Sequence, residues 1–321
     1  MGVVKILTTG GTIAMEEKKG AGALPALTAE DLKSLLPPDI GPLETEEFSN
    51  LPSAHMTVDL IFKLSQRVRD LVTADEVIGV VITHGTDVME ETAYLLDLVV
   101  DTEKPIVLTG AMRTVSQMGY DGIANLKAAV RVAASDEARN LGALVVMNGE
   151  VHAARYVTKT HTQALDTFQS PFWGPLGRVD GDRVVIGKRV KREHIPGQRL
   201  AADVPLIKLA VGLDERFLRQ AIERRADGAI IEALGGGRVP PWWMPTIKEA
   251  IKRGLVVVIA SRCPAGRVYD EYGYVGAYRD LKRAGCIFSE GLNGQKARIK
   301  LMVALGVTGD KDTIQAIFLQ E

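Results

Sequence analysis

The chain contains little cysteine. Among its 321 residues there are only two, Cys263 and Cys286, which is too few for a disulfide framework or a four-ligand zinc site. Each lies at an apolar run, so we expect two buried thiols rather than a bridge. The five histidines also lack the H-x-x-x-H spacing of metal ligands. The composition therefore favours neither a disulfide scaffold nor a metalloprotein, and we predict no metal site.

Net charge and long apolar runs are lacking too. A formal net charge of -1 gives no reason to expect nucleic acid or an acidic membrane surface as a partner. No apolar run approaches the roughly 18 residues that a membrane-spanning helix needs. The N-terminus passes directly from Met1 and Gly2 into a strand-like run, which argues against a signal peptide. We therefore expect a cytoplasmic protein that binds neither nucleic acid nor membranes.

Apolar residues are plentiful and follow a clear rhythm. Strand-like runs alternate with amphipathic helical segments, which predicts a parallel sheet covered by helices on both faces. Residues 15–26, rich in Glu, Lys and Gly, are predicted to form a mobile loop. In the N-terminal part the predicted strands are 3–7, 77–82, 105–108 and 143–147, and the predicted helices start at Thr28 or cover 59–72, 89–100 and 125–134.

The rhythm pauses between about residues 166 and 205 and then resumes. We therefore predict an α/β protein with a large N-terminal domain, residues 1–190, whose sheet is mostly parallel. A linker at residues 191–204 leads to a smaller C-terminal α/β domain, residues 205–321. Its predicted strands are 206–210, 228–233 and 255–260, and its predicted helices begin at Asp214 or cover 245–253, 294–305 and 311–319.

Two threonine motifs each follow a predicted buried strand. The first is TTGGTIA at residues 8–14, and the second is THGTD at residues 83–87. Because open α/β sheets bind ligands at the carboxyl ends of their strands, both motifs are expected at one edge. Hydroxyls, a carboxylate and glycines there suggest acyl-group chemistry. The first motif lacks the G-x-G-x-x-G spacing of a dinucleotide site, so we expect no nucleotide cofactor.

A threonine is a weak nucleophile unless another group takes its proton. The candidate is Lys159, whose segment follows the 143–147 strand by about ten residues and so can fold over the same edge. Near Thr86 and Asp87 it could accept a proton if burial lowers its pKa. Two plainer interpretations stay open: Lys159 as a surface lysine in a polar loop, and Thr12 as a helix N-cap.

Taken together, these residues resemble the bacterial-type L-asparaginase family, which includes the glutaminase-asparaginases. The resemblance extends along most of the chain and keeps both threonine motifs in order. It rests on residues 9–14, 84–87, 110–113, 157–159, 291–293 and 296–298.

The resemblance implies hydrolysis of the side-chain amide of L-asparagine to L-aspartate and ammonia, without a cofactor. It implies that Thr12 attacks the amide to form an acyl-enzyme. Thr86, Asp87 and Lys159 would then form a second, triad-like group, in which Lys159 polarises Thr86. The family also implies a homo-oligomer, a dimer or a tetramer, with active sites between subunits.

Substrate binding is implied in the same way. Ser53 resembles the serine that holds the substrate α-carboxylate, and Asp87 would pair with the α-ammonium. Backbone N–H groups around Gly11 and Thr86 would stabilise the oxyanion, an effect typically worth about 3 kcal/mol per donor. Ala111 completes the substrate-binding set.

Two departures from the family pattern put the substrate range in question. The family's loop after the first threonine carries a tyrosine that hydrogen-bonds it, but residues 13–93 here contain none. The position of the family's substrate-facing asparagine corresponds to Gly236. The acidic residue that the family contributes from the neighbouring subunit has no clear counterpart here, with Asp280 and Glu290 as candidates. Alternatives are another small amide or lactam as substrate, such as glutamine or D-asparagine, an amidotransferase subunit, and a non-catalytic amino-acid sensor.

Overall fold

Two units, each with its own sheet and hydrophobic core, make up the chain in the computed structural model. The first unit is Met1–His194 and the second is Ile195–Glu321. The structure describes residues 2–18 and 20–319.

Most strands of the first unit belong to one sheet, and helices connect several of them. Its strands are β1 Val3–Thr8, β2 Met15–Lys18, β3 Gly22–Pro25, β4 Leu43–Glu47, β5 Val77–Thr83, β6 Ile106–Thr109, β7 Ala143–Met147, β8 Glu150–Ala153, β9 Thr158–Lys159, β10 Phe168–Gln169, β11 Gly177–Asp180 and β12 Arg183–Ile186. Its α-helices are α1 Ala29–Ser34, α2 Val58–Val72, α3 Met89–Val99 and α4 Gly122–Ala133.

The large sheet has the strand order β12-β11-β8-β7-β6-β5-β1-β4. Strands β4, β1, β5, β6 and β7 run parallel to their neighbours, and β8, β11 and β12 extend the sheet in antiparallel fashion. In the register Thr8 pairs with Thr83, and Thr83 pairs with Thr109. The carboxyl ends of β1, β5 and β6 therefore lie level at one edge of the sheet.

Burial on both faces explains why the central strands are so apolar. All residues of β6 and β7 are buried, as are the last five of β5. Helix α2 begins at the N-cap Thr57, whose side chain accepts the Leu60 N–H at 3.2 Å, which satisfies a free donor of the first turn. Its buried face follows helical spacing, with Ile61, Leu64 and Val68 turned inward.

The second unit repeats the pattern on a smaller scale. A four-stranded sheet has the order β13-β14-β15-β16, with every pair parallel. The strands are β13 Leu206–Lys208, β14 Gly228–Ala233, β15 Val256–Ser261 and β16 Ile287–Phe288, and the helices are α5 Arg216–Glu223, α6 Met244–Lys252, α7 Tyr278–Ala284, α8 Gly294–Val307 and α9 Lys311–Leu319. The α/β class predicted from the sequence is thus confirmed.

Short elements such as β8, β11, β16 and α7 were not predicted, and three further differences concern the region of the first motif, the outer strand and the cysteines. The mobile loop predicted at residues 15–26 contains a hairpin, because β2 and β3 pair in antiparallel register. Strand β4 was not predicted, since its sequence LETEE has three glutamates. It forms the outer strand beside β1, where charged side chains remain in water. The prediction of two buried thiols is right for Cys286 and wrong for Cys263, which is exposed.

Gly79 lies in β5 at a close approach to helix α4. A Cβ at this position would overlap the carbonyl oxygen of Ala133, a backbone atom that cannot move aside alone. We therefore expect Gly79→Ala to lower the free energy of unfolding by about 1–3 kcal/mol. Urea denaturation followed by circular dichroism measures the change. The matched control is Gly273→Ala, where an added Cβ meets nothing within 4 Å; equal stability of the two variants would contradict the prediction.

Candidate active site

The two threonine motifs meet through their glycine backbones. Gly10 and Gly11 follow β1 with φ angles of 98° and 88°, in the left-handed region that favours glycine. A Cβ on Gly11 would lie 2.5 Å from the Cα and N atoms of Gly85, too close for any other residue. Thr12 directly follows Gly11, and Thr86 directly follows Gly85. The contact between the two glycines therefore places the backbones of the two threonines close together.

Ser53 joins this contact from a separate segment. It begins a short 3₁₀ turn, Ser53–His55, and is buried. A Cβ on Gly85 would lie 2.6 Å from Ser53 Oγ, and that oxygen accepts the Asp87 N–H at 3.2 Å. The serine assigned to the substrate α-carboxylate therefore packs directly against the second motif.

Lys159 reaches the second motif from the β9–β10 hairpin. Its Nζ donates to Thr86 Oγ1 at 2.8 Å and lies 2.8 Å from Asp87 Oδ1. Strand β10 holds the lysine in place, since Lys159 pairs with the buried Phe168. The side chain of Lys159 is 16% exposed and that of Asp87 is 64% exposed. The structure thus brings together three residues that sequence distance alone could not place, and Lys159 is not a free surface lysine.

Thr12 is not a helix cap. It starts the 3₁₀ turn Thr12–Ala14, whose N-cap is Gly11, and the chain then enters β2 rather than an α-helix. The side chain is partly buried, and within residues 2–18 and 20–319 its hydroxyl has no hydrogen-bond partner. Thr12 therefore differs from Thr86, whose hydroxyl is already held by a lysine.

Several backbone N–H groups at this edge have no acceptor in the described residues, and three of them bear on the site. Gly11, Thr86 and Ala111 are buried, yet none of their N–H groups has an acceptor in the described part of the chain. Ala111 follows β6, and its neighbour Gly110 packs on the carbonyl oxygen of His84. Buried backbone donors are nearly always paired, so these three are available to a bound acceptor.

His84 supports the second motif from beneath, a role that sequence analysis did not assign. The imidazole is fully buried. Nδ1 lies 2.7 Å from the Gly85 carbonyl oxygen and must carry a proton, so Nε2 accepts from the Thr92 hydroxyl at 3.1 Å. Burial lowers the pKa of His84 to about 4, against the opposing effect of the hydrogen bond to Gly85. The neutral ring thus ties the turn before Thr86 to helix α3.

The residues predicted to replace missing family groups lie in the second unit. Gly236 has no room for a side chain, because a Cβ there would overlap the Tyr269 ring. Asp280 is engaged locally, since its carboxylate accepts the Gly276 N–H at 3.0 Å. Glu290 has a left-handed backbone with φ of 44°. These contacts are all within that unit and assign no substrate role.

The described residues contain neither a metal-binding cluster nor a membrane-spanning helix. Residues 2–18 and 20–319 contain no group of three or more His, Cys, Asp or Glu side chains that could hold a metal ion. In the same residues no helix is long and apolar enough to span a membrane.

Comparison with protein families identifies both units. Residues 3–192 match the family described as Asparaginase, N-terminal, and residues 203–318 match the Glutaminase/Asparaginase C-terminal domain. The chain belongs to the asparaginase family.

Full-length relatives agree with this assignment. The chain is 36% identical to a protein named L-asparaginase from Bacillus licheniformis, over 94% of this chain and 95% of the relative. It is 36% identical to a glutaminase-asparaginase from Pseudomonas aeruginosa, over 98% and 89% of the two chains. It is 35% identical to a probable periplasmic L-asparaginase from Haemophilus influenzae, over 98% and 92%. The resemblance read from the motifs is therefore confirmed.

The buried His84 predicts a pH-dependent stability. The folded protein protonates this ring only near pH 4, whereas the ordinary pKa is 6.5. Its stabilising contribution is complete above pH 6.5 and is lost as the pH falls towards 4. The full shift corresponds to about 3 kcal/mol.

We expect urea midpoints measured between pH 7 and pH 4 to fall less steeply for His84→Gln than for the wild type. The matched control is His194→Gln, which changes an exposed histidine and should keep the wild-type slope. If His84→Gln keeps the wild-type slope, the His84 ring is not the source of the pH-dependent stability.

Proposed function

We propose that this asparaginase-family protein hydrolyses the side-chain amide of L-asparagine to L-aspartate and ammonia through a threonine-bound acyl-enzyme. The observation that carries the proposal is the cluster of Thr86, Asp87 and Lys159, placed beside the backbone contact from which Thr12 emerges. The names of the relatives, L-asparaginase and glutaminase-asparaginase, support the choice of substrate class.

The proposed reaction has two steps, and both take place at the side-chain carbonyl carbon of the substrate. In the first, Thr12 Oγ bonds to the amide carbon, the C–N bond breaks, and the proton lost by the hydroxyl leaves on the ammonia. In the second, a water oxygen bonds to the ester carbon, and Thr12 Oγ leaves and regains a proton. Thr86, whose hydroxyl is polarised by Lys159, is the group of the cluster that passes protons in both steps.

The unpaired N–H groups of Gly11 and Thr86 supply the oxyanion site in this proposal. Both tetrahedral intermediates place a negative charge on the former amide oxygen, and preorganised N–H donors stabilise that charge more than they stabilise the ground state. Ala111 offers a third backbone donor at the same edge of the sheet. The fixed Gly11–Gly85 contact keeps the first two donors from moving apart.

The ends of the amino acid have their own partners in the proposal. The carboxylate of Asp87 binds the α-ammonium, and its 64% exposure leaves an oxygen accessible beside Lys159. Ser53 Oγ already accepts the Asp87 N–H, so its own proton is directed to the α-carboxylate. The hydrogen bond between the Asp87 N–H and Ser53 Oγ thus sets the distance between the two binding groups, which favours α-amino acids over simple amides.

Loss of either threonine hydroxyl should remove the activity. We expect Thr12→Ala and Thr86→Ala each to reduce kcat for ammonia release from L-asparagine by at least about 10³-fold, because one removes the nucleophile and the other its proton relay. Calorimetry should still detect aspartate binding, since Asp87 and Ser53 remain.

The control for these two variants is Thr162→Ala, an exposed threonine just beyond the hairpin residue Lys159, with unchanged kcat. Full activity in both Thr12→Ala and Thr86→Ala would rule out the threonine mechanism.

A non-catalytic amino-acid sensor is the second candidate function. The observation in its favour is the Thr12 hydroxyl, which has no hydrogen-bond partner in the described part of the chain. A comparison of aspartate binding with amide hydrolysis distinguishes the two functions. We expect hydrolysis of L-asparagine in a panel that also contains D-asparagine, glutamine and a small lactam. Aspartate binding without hydrolysis of any of the four would establish the sensor instead.

Location, assembly and domain limits complete the proposal. We place the protein in the cytoplasm as a homo-oligomer, a dimer or tetramer with active sites between subunits, and we keep the domain limits 1–190 and 205–321 with a linker at 191–204. A relative named as periplasmic makes cell fractionation the appropriate test of location. Light scattering decides the assembly: a monomer with full activity would contradict shared sites.

A further inference from the structure

A tyrosine far along the chain contacts the turn that carries Thr12. Tyr120 Oη donates to the carbonyl oxygen of Ile13 at 2.5 Å, across 107 positions of sequence. The ring is half-buried and packs against the hydrophobic core of the first unit. Gly122 leaves room for the hydroxyl, since a Cβ at that position would overlap Tyr120 Oη. The absence of a side chain at Gly122 therefore lets the hydroxyl reach the Ile13 carbonyl.

In the part of the chain that the structure describes, the carbonyl that Tyr120 contacts accepts no backbone N–H. Within the turn, the Gly11 carbonyl accepts the Ala14 N–H, and the Thr12 carbonyl accepts the Met15 N–H. The Ala14 carbonyl accepts two N–H groups from residues 26 and 27. Ile13 is fully buried, and in the described residues the donor to its carbonyl is the tyrosine hydroxyl. A buried carbonyl without a partner is costly, so Tyr120 completes the turn.

The same loop also fastens the hairpin that follows the turn. The Val115 N–H donates to the Met15 carbonyl at 3.0 Å. The Glu17 N–H donates to Ser116 Oγ at 3.0 Å, and the Gln117 side-chain amide donates to Glu17 Oε1 at 3.1 Å. Tyr120 is the contact nearest to Thr12 in this row, and the other contacts hold β2 beyond it.

We propose that Tyr120 is a positioning residue for Thr12, acting through the Ile13 carbonyl and fixing the peptide next to the nucleophile. Burial raises the pKa of the Tyr120 phenol, so the hydroxyl remains a donor throughout the neutral and mildly alkaline range. Within residues 2–18 and 20–319 its hydroxyl forms no hydrogen bond with Thr12, Thr86, Asp87 or Lys159. Because an error of about 1 Å at a nucleophile costs up to about 10²-fold in rate, a loosened turn should slow the chemistry more than it weakens binding.

The inference rests on the proposed role of Thr12, so its test needs a measurement independent of turnover. Tyr120→Phe removes one hydroxyl and keeps the ring. We expect kcat for L-asparagine to fall about tenfold, with KM within about twofold and the pH profile unshifted, since the tyrosine does not titrate in that range. Hydrogen exchange at the amides of residues 14–17 should be faster than in the wild type.

The matched control is Tyr278→Phe, which removes the hydroxyl of another half-buried tyrosine, one that stacks on Phe288 in the second unit. It should leave kcat and the exchange of residues 14–17 unchanged.

The possible outcomes distinguish the positioning role of Tyr120 from the proposed hydrolysis of L-asparagine. Wild-type kcat and exchange in Tyr120→Phe would overturn the positioning role while leaving the proposed function intact. A loss of kcat that Tyr278→Phe shares, or that follows only from a lowered Tm, would also overturn it. If the wild type releases no ammonia, the proposed function fails, and the exchange measurement alone then decides whether Tyr120 holds the turn.

Discussion

The close contact between Gly11 and Gly85 is the constraint on which the rest of the site depends. The parallel strands β1 and β5 end level with each other. After each strand the backbone turns within a space that admits no Cβ at Gly11 or Gly85. A side chain at either position would separate the strand ends. The residues that follow the glycines, Thr12 and Thr86, are therefore close because of backbone packing and not because their side chains attract each other.

The remaining groups approach this contact from segments that are distant in sequence. Ser53 packs on Gly85, Lys159 holds Thr86 and Asp87, and His84 ties the turn to helix α3. The rigid part of the site is thus the edge of the sheet and the second motif. The first motif is tied to the second through Thr9, whose N–H and hydroxyl both donate to the Thr83 carbonyl. Its turn is held by its own backbone hydrogen bonds, by residues 26 and 27 and by the loop that contains Tyr120. The two threonines differ in their hydroxyls: Lys159 holds that of Thr86, whereas that of the proposed nucleophile, Thr12, has no hydrogen-bond partner in the described residues.

The parts of the fold that burial dictates are predictable from the sequence. Strands β5, β6 and β7 are covered on both faces, so each is a continuous apolar run that can be recognised without a structure. Strand β4 and the β2–β3 hairpin lie in water with charged residues, and no periodic pattern marks them. The sequence also identified Thr86, Asp87 and Lys159, but only the β9–β10 hairpin shows that the lysine lies within 2.8 Å of the other two. Tyr120 was missed because its partner is a backbone carbonyl 107 positions away, and no residue pattern reports such a contact.

The most direct test of the account is a crystal structure of the protein soaked with L-aspartate, the proposed product. The account predicts that the side-chain carboxylate lies between the Thr12 and Thr86 hydroxyls, within hydrogen-bonding distance of the N–H groups of Gly11 and Thr86. The α-ammonium should contact Asp87, and the α-carboxylate should contact Ser53. Aspartate bound elsewhere, or bound with its side chain turned away from both threonines, would contradict the claim that the two motifs form one amidase site.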